Sequence, residues 1–429
     1  MIEAKKILII SHNSFSSSSN NGKTLESMFN WVDKNNLAQL FFSENEDPDF
    51  EFCSNYYKIT DLDVLKSLAN KSTDKNLSSN SGKQGGESET SRKGNNYIFE
   101  SLKALFKKQK FFRDKLWEFG NWKTDGLMNW LKSFSPDVIF YLGGDYKFSH
   151  KIATDLANTF NIPLIVYFTD DYIIHPKVKG VLNKINQSNL IKTYKETISQ
   201  ASVCFAIGEK MANSYSDFFK KAFYPIMNSV QILPLNHVES QGEIQISYFG
   251  GLHLNRDKAL IRFGQLLNGA ILNIYSNSKV SNDLLDEFKK NGIYFKGPVF
   301  GADLKNAIIN SDFLLHVESN NPDIKSITKL SISTKIPEYL SYGKTVIGFG
   351  PKDVASMEIL IDNQIGYFID MDDIDEKIRI SLGEFIKNEE LSEIISQNGY
   401  NFAKENFDNY NITSKFKKIL NKNLYGDTK

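Results

Sequence analysis

Tyr248-Phe249-Gly250-Gly251-Leu252-His253-Leu254-Asn255-Arg256-Asp257-Lys258 is the stretch on which the fold of this chain turns. Residues 244–249 have the apolar, β-prone make-up of a buried strand, the glycine pair makes a turn, and two cations follow. A strand passing through glycine into a polar segment opens a βα unit, and such units build parallel sheets. Short apolar runs continue the series at 272–275, 293–295, 313–317 and 345–348. Before it lies an earlier series: 7–10, 137–142, 164–168 and 202–207, each bounded by Gly, Pro or Asp. The two series are separated by residues 229–242, which contain Pro234, Asn236 and Gly242 and no sustained period; this reads as an interdomain linker.

The chain has 429 residues, too many for one ordinary domain and comfortable for two. The division expected is 1–235 and 236–410, with a last helix at 411–424 crossing back onto the first domain. Lys+Arg and Asp+Glu both number 51, so the formal net charge is zero. A nucleic-acid coat protein would carry a basic excess, so no nucleic-acid partner is expected. Two cysteines, Cys53 and Cys204, cannot make a disulfide framework and point to a reducing, cytoplasmic setting. The apolar run at 7–10 is too short for a signal-peptide core, and no run approaches the length of a spanning helix.

Two segments stand apart. Residues 70–96 are rich in Ser, Asn, Gly and Lys, cannot offset their ordering entropy by burial, and read as a mobile inserted loop. Residues 101–119 follow. Within 101–115, Lys103, Lys107, Lys108, Lys110, Arg113 and Lys115 stand against Asp114 alone, and apolar residues recur at helical spacing. That pattern fits either a surface helix on an anionic membrane, with Phe111, Trp117, Trp122 and Trp130 as interfacial aromatics, or a solvated helix packed on its own domain.

Few residues carry chemistry. Only Arg92, Arg113, Arg256, Arg262 and Arg379 are arginines, so each one is a question. Arg256 can grip phosphate oxygens bidentately, with Lys258 as a second charge, or can pair with a surface carboxylate. Gly22-Lys23-Thr24 invites a P-loop reading, but the glycine that motif needs is Ser17 here. In 329–347, Ser333 or Thr334 is a good N-cap, Pro337 falls in the first turn, and Gly343 ends the helix. Lys335 and Glu338 lie in its first turn. Glu338 could take two ribose hydroxyls or simply complement the helix dipole. Asp170 and Asp171 end the strand at 164–168, with His175 beyond. They are either acceptor-orienting acids, one a general base, or turn-capping aspartates. His316 reads as a cleft residue or a satisfied core histidine. No His/Cys/Asp cluster has metal-ligand spacing.

The arrangement resembles the GT-B glycosyltransferases, α/β proteins in which two Rossmann-like domains face each other across a cleft. It is most similar to the retaining family-four type of bacterial capsule, exopolysaccharide and lipopolysaccharide synthesis, most specifically at 248–258 and 331–350. The resemblance implies a nucleotide-sugar donor held by the second domain without metal or other cofactor, and a glycan or lipid-linked acceptor. It assigns Gly22 to the donor phosphates, Arg256 to the diphosphate and Glu338 to the ribose. Ser333, Thr334 and Lys335 fall near the β-phosphate, and Val299 and Phe300 by the nucleobase. Two positions depart from the pattern. Gly251 stands where the family commonly has a second arginine, and Leu330 where the first of its paired glutamates would be, leaving Glu318 as a stand-in for sugar recognition. The same motifs suit a GT-B nucleotide-sugar epimerase, or a noncatalytic sugar-binding protein with a degenerate donor site.

Overall fold

The computed structural model describes residues 1–16, 20–68, 75–78, 110–176, 178–235 and 242–426. It contains the two sheets expected. The first has eight strands: β1 (Ile7–Ser11), β2 (Leu37–Phe41), β3 (Asn55–Lys58), β4 (Lys75–Ser78), β5 (Val138–Gly143), β6 (Leu164–Phe168), β7 (Val203–Ile207) and β8 (Phe223–Ile226). Their order is β4-β3-β2-β1-β5-β6-β7-β8, and every pairing is parallel except β3 with β4. The second sheet is wholly parallel: β9 (Ile244–Phe249), β10 (Ala270–Tyr275), β11 (Ile293–Gly297), β12 (Phe313–Val317), β13 (Thr345–Gly350) and β14 (Tyr367–Asp370), in the order β11-β10-β9-β12-β13-β14.

The central strands explain themselves. β1 (ILIIS), β6 (LIVYF) and β12 (FLLHV) are buried at every position, as strands covered by helices on both faces must be. In each sheet the strand order reverses beside the first strand, at β1/β5 and at β9/β12. Loops leaving the carboxyl ends there diverge and open a crevice. This topology alone directs the loops after β1, β5, β6, β9 and β12 to the space where a ligand would sit.

Edge strands escaped the sequence reading. β8 contains Pro225, which demotes a run to an edge, and an edge is where β8 lies. Within the supposed loop 70–96, Lys75–Ser78 is a strand paired antiparallel with β3. The sheet edge offers unpaired N–H and C=O groups, and backbone pairing can satisfy them without apolar side chains. The rest of 70–96 lies outside the described residues.

The basic segment 101–119 is described only from Lys110, where the helix Lys110–Phe119 begins. This half is no free cationic face. Arg113 is buried, holds Asp61 at 2.8 Å and lies over the ring of Tyr146. Trp117 stacks on Phe148 with centroids 4.2 Å apart, and Trp130 packs on Tyr57. Those tryptophans belong to the core.

The chain crosses between the sheets twice, and the crossings touch. Val230 and Asp408 form a parallel bridge, with Val230 N–H donating to Phe407 O (2.8 Å) and Asn409 N–H to Val230 O (3.1 Å). The last helix, Asn409–Tyr425, then packs on the first sheet. Phe416 sits edge-on to Phe29 and Phe140 and meets Phe205 at 5.0 Å, while the Ile2 N–H donates to Asn421 Oδ1. Phe416→Ala should therefore cost about 3–5 kcal/mol, read as a lowered denaturation midpoint of the intact chain. A loss below about 1 kcal/mol would mean the helix lies outside the first domain's core.

Candidate active site in the interdomain cleft

Two adjoining cavities, about 460 and 510 Å³, occupy the cleft and share Gly250, Gly251, His253, Thr334 and Lys335. The glycine pair is there because space is short. A Cβ on Gly250 would lie 2.7 Å from the Tyr248 hydroxyl, and one on Gly251 would lie 2.5 Å from the His253 ring. Leu254 and Asn255 then take φ of 60° and 57°, a left-handed pair without glycine, before the helix Arg256–Leu266 begins. Such strain persists only where the surroundings over-determine it.

Arg256, at the first position of that helix, lines the 460 Å³ cavity together with Glu318, the residue after β12. Its Nη2 lies 3.2 Å from Glu318 Oε1, and His316 Nε2 lies 3.3 Å from the same oxygen. Glu318 is 2% exposed, so the partner is a buried carboxylate, not a surface one. Burial opposes its ionisation, but Arg256 and His316 outweigh that and hold its carboxyl below the ordinary range. Arg256 Nε and Glu318 Oε2 have no hydrogen-bond partner among the described residues. Buried polar atoms are normally paired, so these two mark a place for a polar ligand or water.

The adjacent aspartates separate completely. Asp170 lines both the 460 Å³ cavity and a smaller one of about 40 Å³ beside His12, Tyr146 and Tyr172. Thr169 and Tyr172 hydroxyls donate to its Oδ2. Burial nevertheless pushes its carboxyl above the ordinary range. Asp171 is the correction. It is 1% exposed and its carboxylate accepts from the N–H groups of Ile173, Ile174 and His175, from His175 Nδ1 and from the Tyr215 hydroxyl. It caps the turn after β6 and has no capacity left for substrate. His175 serves Asp171 in the same turn. In the 40 Å³ cavity, burial and the nearby Arg113 lower the His12 imidazole to about 4, so it is neutral, and its Nδ1 is unpartnered.

The 510 Å³ cavity is floored by Phe249 and Tyr275, stacked at 4.7 Å, and walled by Pro298, Val299 and the exposed Phe300. Glu338, in the helix Lys335–Ser341, faces it between two lysines. Lys335 Nζ reaches Oε2 at 2.9 Å, and Lys23 Nζ, from the first domain, reaches Oε1 at 3.0 Å. Burial works against the charge, yet Lys335 and Lys23 keep this carboxyl below its usual range. Ser333 Oγ accepts from the Lys335 N–H, while Thr334 at the N-cap position makes no side-chain cap.

Two expected residues are not at the cavity walls. Lys258 is exposed and two positions beyond Arg256, so the helix turns it to another face. Gly22 is buried in the first turn of the helix Asn20–Phe29, where a Cβ would meet Ser14 O at 2.6 Å; it allows close packing of its own loop. The sequence reading missed Lys23, Asn21, Thr169 and His253. Burial and then the Arg256 charge hold the His253 imidazole below its ordinary range. For Lys23 the signal was the abandoned Gly22-Lys23-Thr24 motif; its partner is 315 residues away. Further pairs close the cleft: Lys210 with Glu358 at 2.6 Å, Lys179 with Asp323 at 2.8 Å, and Ile332 against Gly208.

No protein-family model and no curated protein matches the sequence. Solved structures do. S. aureus TarM, as a mutant in complex with fondaparinux, alpha-GlcNAc-glycerol and UDP, is similar at TM-score 0.59 and 11% identity, with 97% of this chain and 100% of that one covered. Anabaena HepE in complex with UDP-glucose is similar at TM-score 0.60 and 13% identity, over 97% and 99%. WaaG, a glycosyltransferase involved in lipopolysaccharide biosynthesis, is similar at 0.55 and 11%, over 96% and 99%. The chain has the GT-B fold.

The two aspartates can be told apart by stability. Asp170 has a folded pKa above its unfolded one, so its penalty is fully present above the folded value and vanishes below the unfolded value. Asp170→Asn should raise the melting temperature near neutral pH, with the gain fading as pH falls toward about 4 and absent below it; a variant less stable than wild type at neutral pH would refute the assignment. Asp171→Ala should instead cost about 3–5 kcal/mol in chemical denaturation.

Proposed function

We propose that this chain is a glycosyltransferase that moves a sugar from a nucleotide-sugar donor to a glycan or lipid-linked acceptor. The observation that carries the reading is the pair of joined cavities. One is aromatic-floored and ends at Glu338; the other is polar, with Arg256, Glu318 and Asp170 on its walls. A nucleoside suits the first and a sugar the second, which puts the linking diphosphate at the shared Gly250-Gly251 turn and Lys335. Structures of this fold hold UDP-glucose and UDP, which supports a uridine nucleotide.

The chemistry asked of the site is electrostatic. Charge building on the departing diphosphate is met by Lys335 and Arg256, fixed in place before reaction, and such preorganisation is commonly the largest catalytic contribution. Glu338 exchanges its lysines for ribose hydroxyls, which turns Lys23 and Lys335 toward phosphate. With this much cationic charge in place, added chelator should leave turnover unchanged. Asp170 stands between the donor cavity and the small aromatic cavity, the position from which an acceptor hydroxyl would attack. Retention of anomeric configuration, and a surface polysaccharide or its lipid-linked precursor as acceptor, belong to the same reading; WaaG offers a precedent of this fold for the latter. Product analysis with donor alone separates transfer from epimerisation, and turnover with a lipid extract separates it from mere binding.

Arg256→Ala should weaken UDP binding by about 1.5–3 kcal/mol, the worth of a charge-assisted bond. Arg256→Lys, which keeps a cation beside buried Glu318, controls for folding. Glu338→Gln should lower nucleotide affinity while leaving the melting temperature nearly unchanged. Calorimetry showing unaltered UDP affinity in both Arg256→Ala and Glu338→Gln would remove the nucleotide from this cleft.

A further inference from the structure

One surface outside the cleft has no use in the fold. The helix Val181–Gln200 buries Leu190, Thr193, Tyr194, Thr197 and Ile198. At about 100° per residue these share one side, Val181 and Ile185 stand roughly opposite, and Leu182 lies at the flank. Those three side chains are 74%, 71% and 50% exposed. Apolar groups clustered on the side away from the core mark an interaction surface rather than packing.

The segment itself carries one sign of charge, although Asp323 of the second domain pairs with Lys179 and Glu196 lies near Lys192. No acidic residue occurs between Asp171 and Glu196, whereas Lys179, Lys184, Lys192 and Lys195 in the same segment are all exposed. Lys184, within the apolar trio, has no carboxylate partner among the described residues. A second copy of this chain meeting the patch in a two-fold contact would set lysines against lysines. An anionic bilayer complements both features at once.

We propose that this face seats the protein on an anionic lipid surface, with Val181, Leu182 and Ile185 entering the headgroup boundary and Lys184 and Lys195 meeting lipid phosphates. Its position bears on the cleft. Gln187, two residues after Ile185, donates from Nε2 to Tyr172 O at 2.7 Å, and Tyr172 lines the small cavity beside Asp170. The acceptor side therefore opens close to the bilayer, which suits an acceptor carried on a lipid; this last clause rests on the glycosyltransferase reading, and the surface itself does not.

The test is co-sedimentation of the full chain with phosphatidylcholine vesicles, with and without phosphatidylglycerol. Wild type should pellet with the anionic vesicles alone, and less so as salt rises. Val181→Ser/Leu182→Ser/Ile185→Ser and, separately, Lys184→Glu should each lower the partition, the triple variant by about tenfold or more. Both changes lie on exposed positions, and unchanged UDP affinity reports an intact cleft. Wild type left in the supernatant overturns the proposal. So does a triple variant that pellets like wild type, which would place the contact elsewhere, in residues 101–109 for instance. A triple variant that loses self-association by light scattering, with no vesicle binding by wild type, would assign the patch to a second copy.

Discussion

Glu318 is the constraint from which the site follows. A carboxylate 2% exposed cannot stay ionised without a cation against it, and Arg256 is the cation the fold supplies. Holding Arg256 there fixes where its helix must begin. The chain has only the few residues after β9 to reach that point, so it turns through the left-handed pair Leu254-Asn255 and passes so close to Tyr248 and His253 that residues 250 and 251 can carry no side chain. One buried ion pair thus accounts for the glycine turn, the backbone strain and the polar lining of the cavity. The unpartnered atoms that surround it are what a site prepared for a polar ligand leaves open.

The central architecture was legible in the sequence because it depends on local pattern. Runs such as ILII at 7–10 and FLLHV at 313–317 are apolar on both faces, and only a covered parallel sheet buries both. Other strands were not legible. β2 carries Gln39 at its centre, β3 and β8 are short and interrupted by polar residues or proline, and β4 is held by backbone pairing that leaves no mark on composition. The site divides along the same line. Arg256 and Asp170, which follow strand ends, were reachable from local pattern, whereas Glu318 and Val299 came only with the family resemblance. Asp171 could not be told from Asp170, since what separates them is the direction of five hydrogen bonds. Lys23 stood in the Gly22-Lys23-Thr24 motif, but its role could not be read there because its partner is a carboxylate from the other domain.

That contact also changes how the cleft is understood. Lys23, Lys210 and Lys179 each cross to a carboxylate of the opposite domain, so the two sheets are drawn together before any ligand enters. Each pair has solvent beside it and contributes modestly by itself. Lys23 differs from the others because its partner faces the cavity. Entry of a ligand at Glu338 would disturb a tie between domains as well as fill a pocket, so occupancy and closure share one carboxylate.

The paired crossings at Val230 and Asp408 make the second sheet, in chain terms, a guest within the first. The first domain begins the chain, lends its thread to the second, and takes it back through the helix that buries Phe416. Entry and exit lie side by side, so the two junctions at which that guest would be exchanged between chains of this architecture sit at one place, closed by two backbone hydrogen bonds. A scaffold of this kind can keep the first sheet and replace the second as a unit. Diversity in what the cleft accepts can then arise by substitution of a cassette, without redesign of the sheet that frames it.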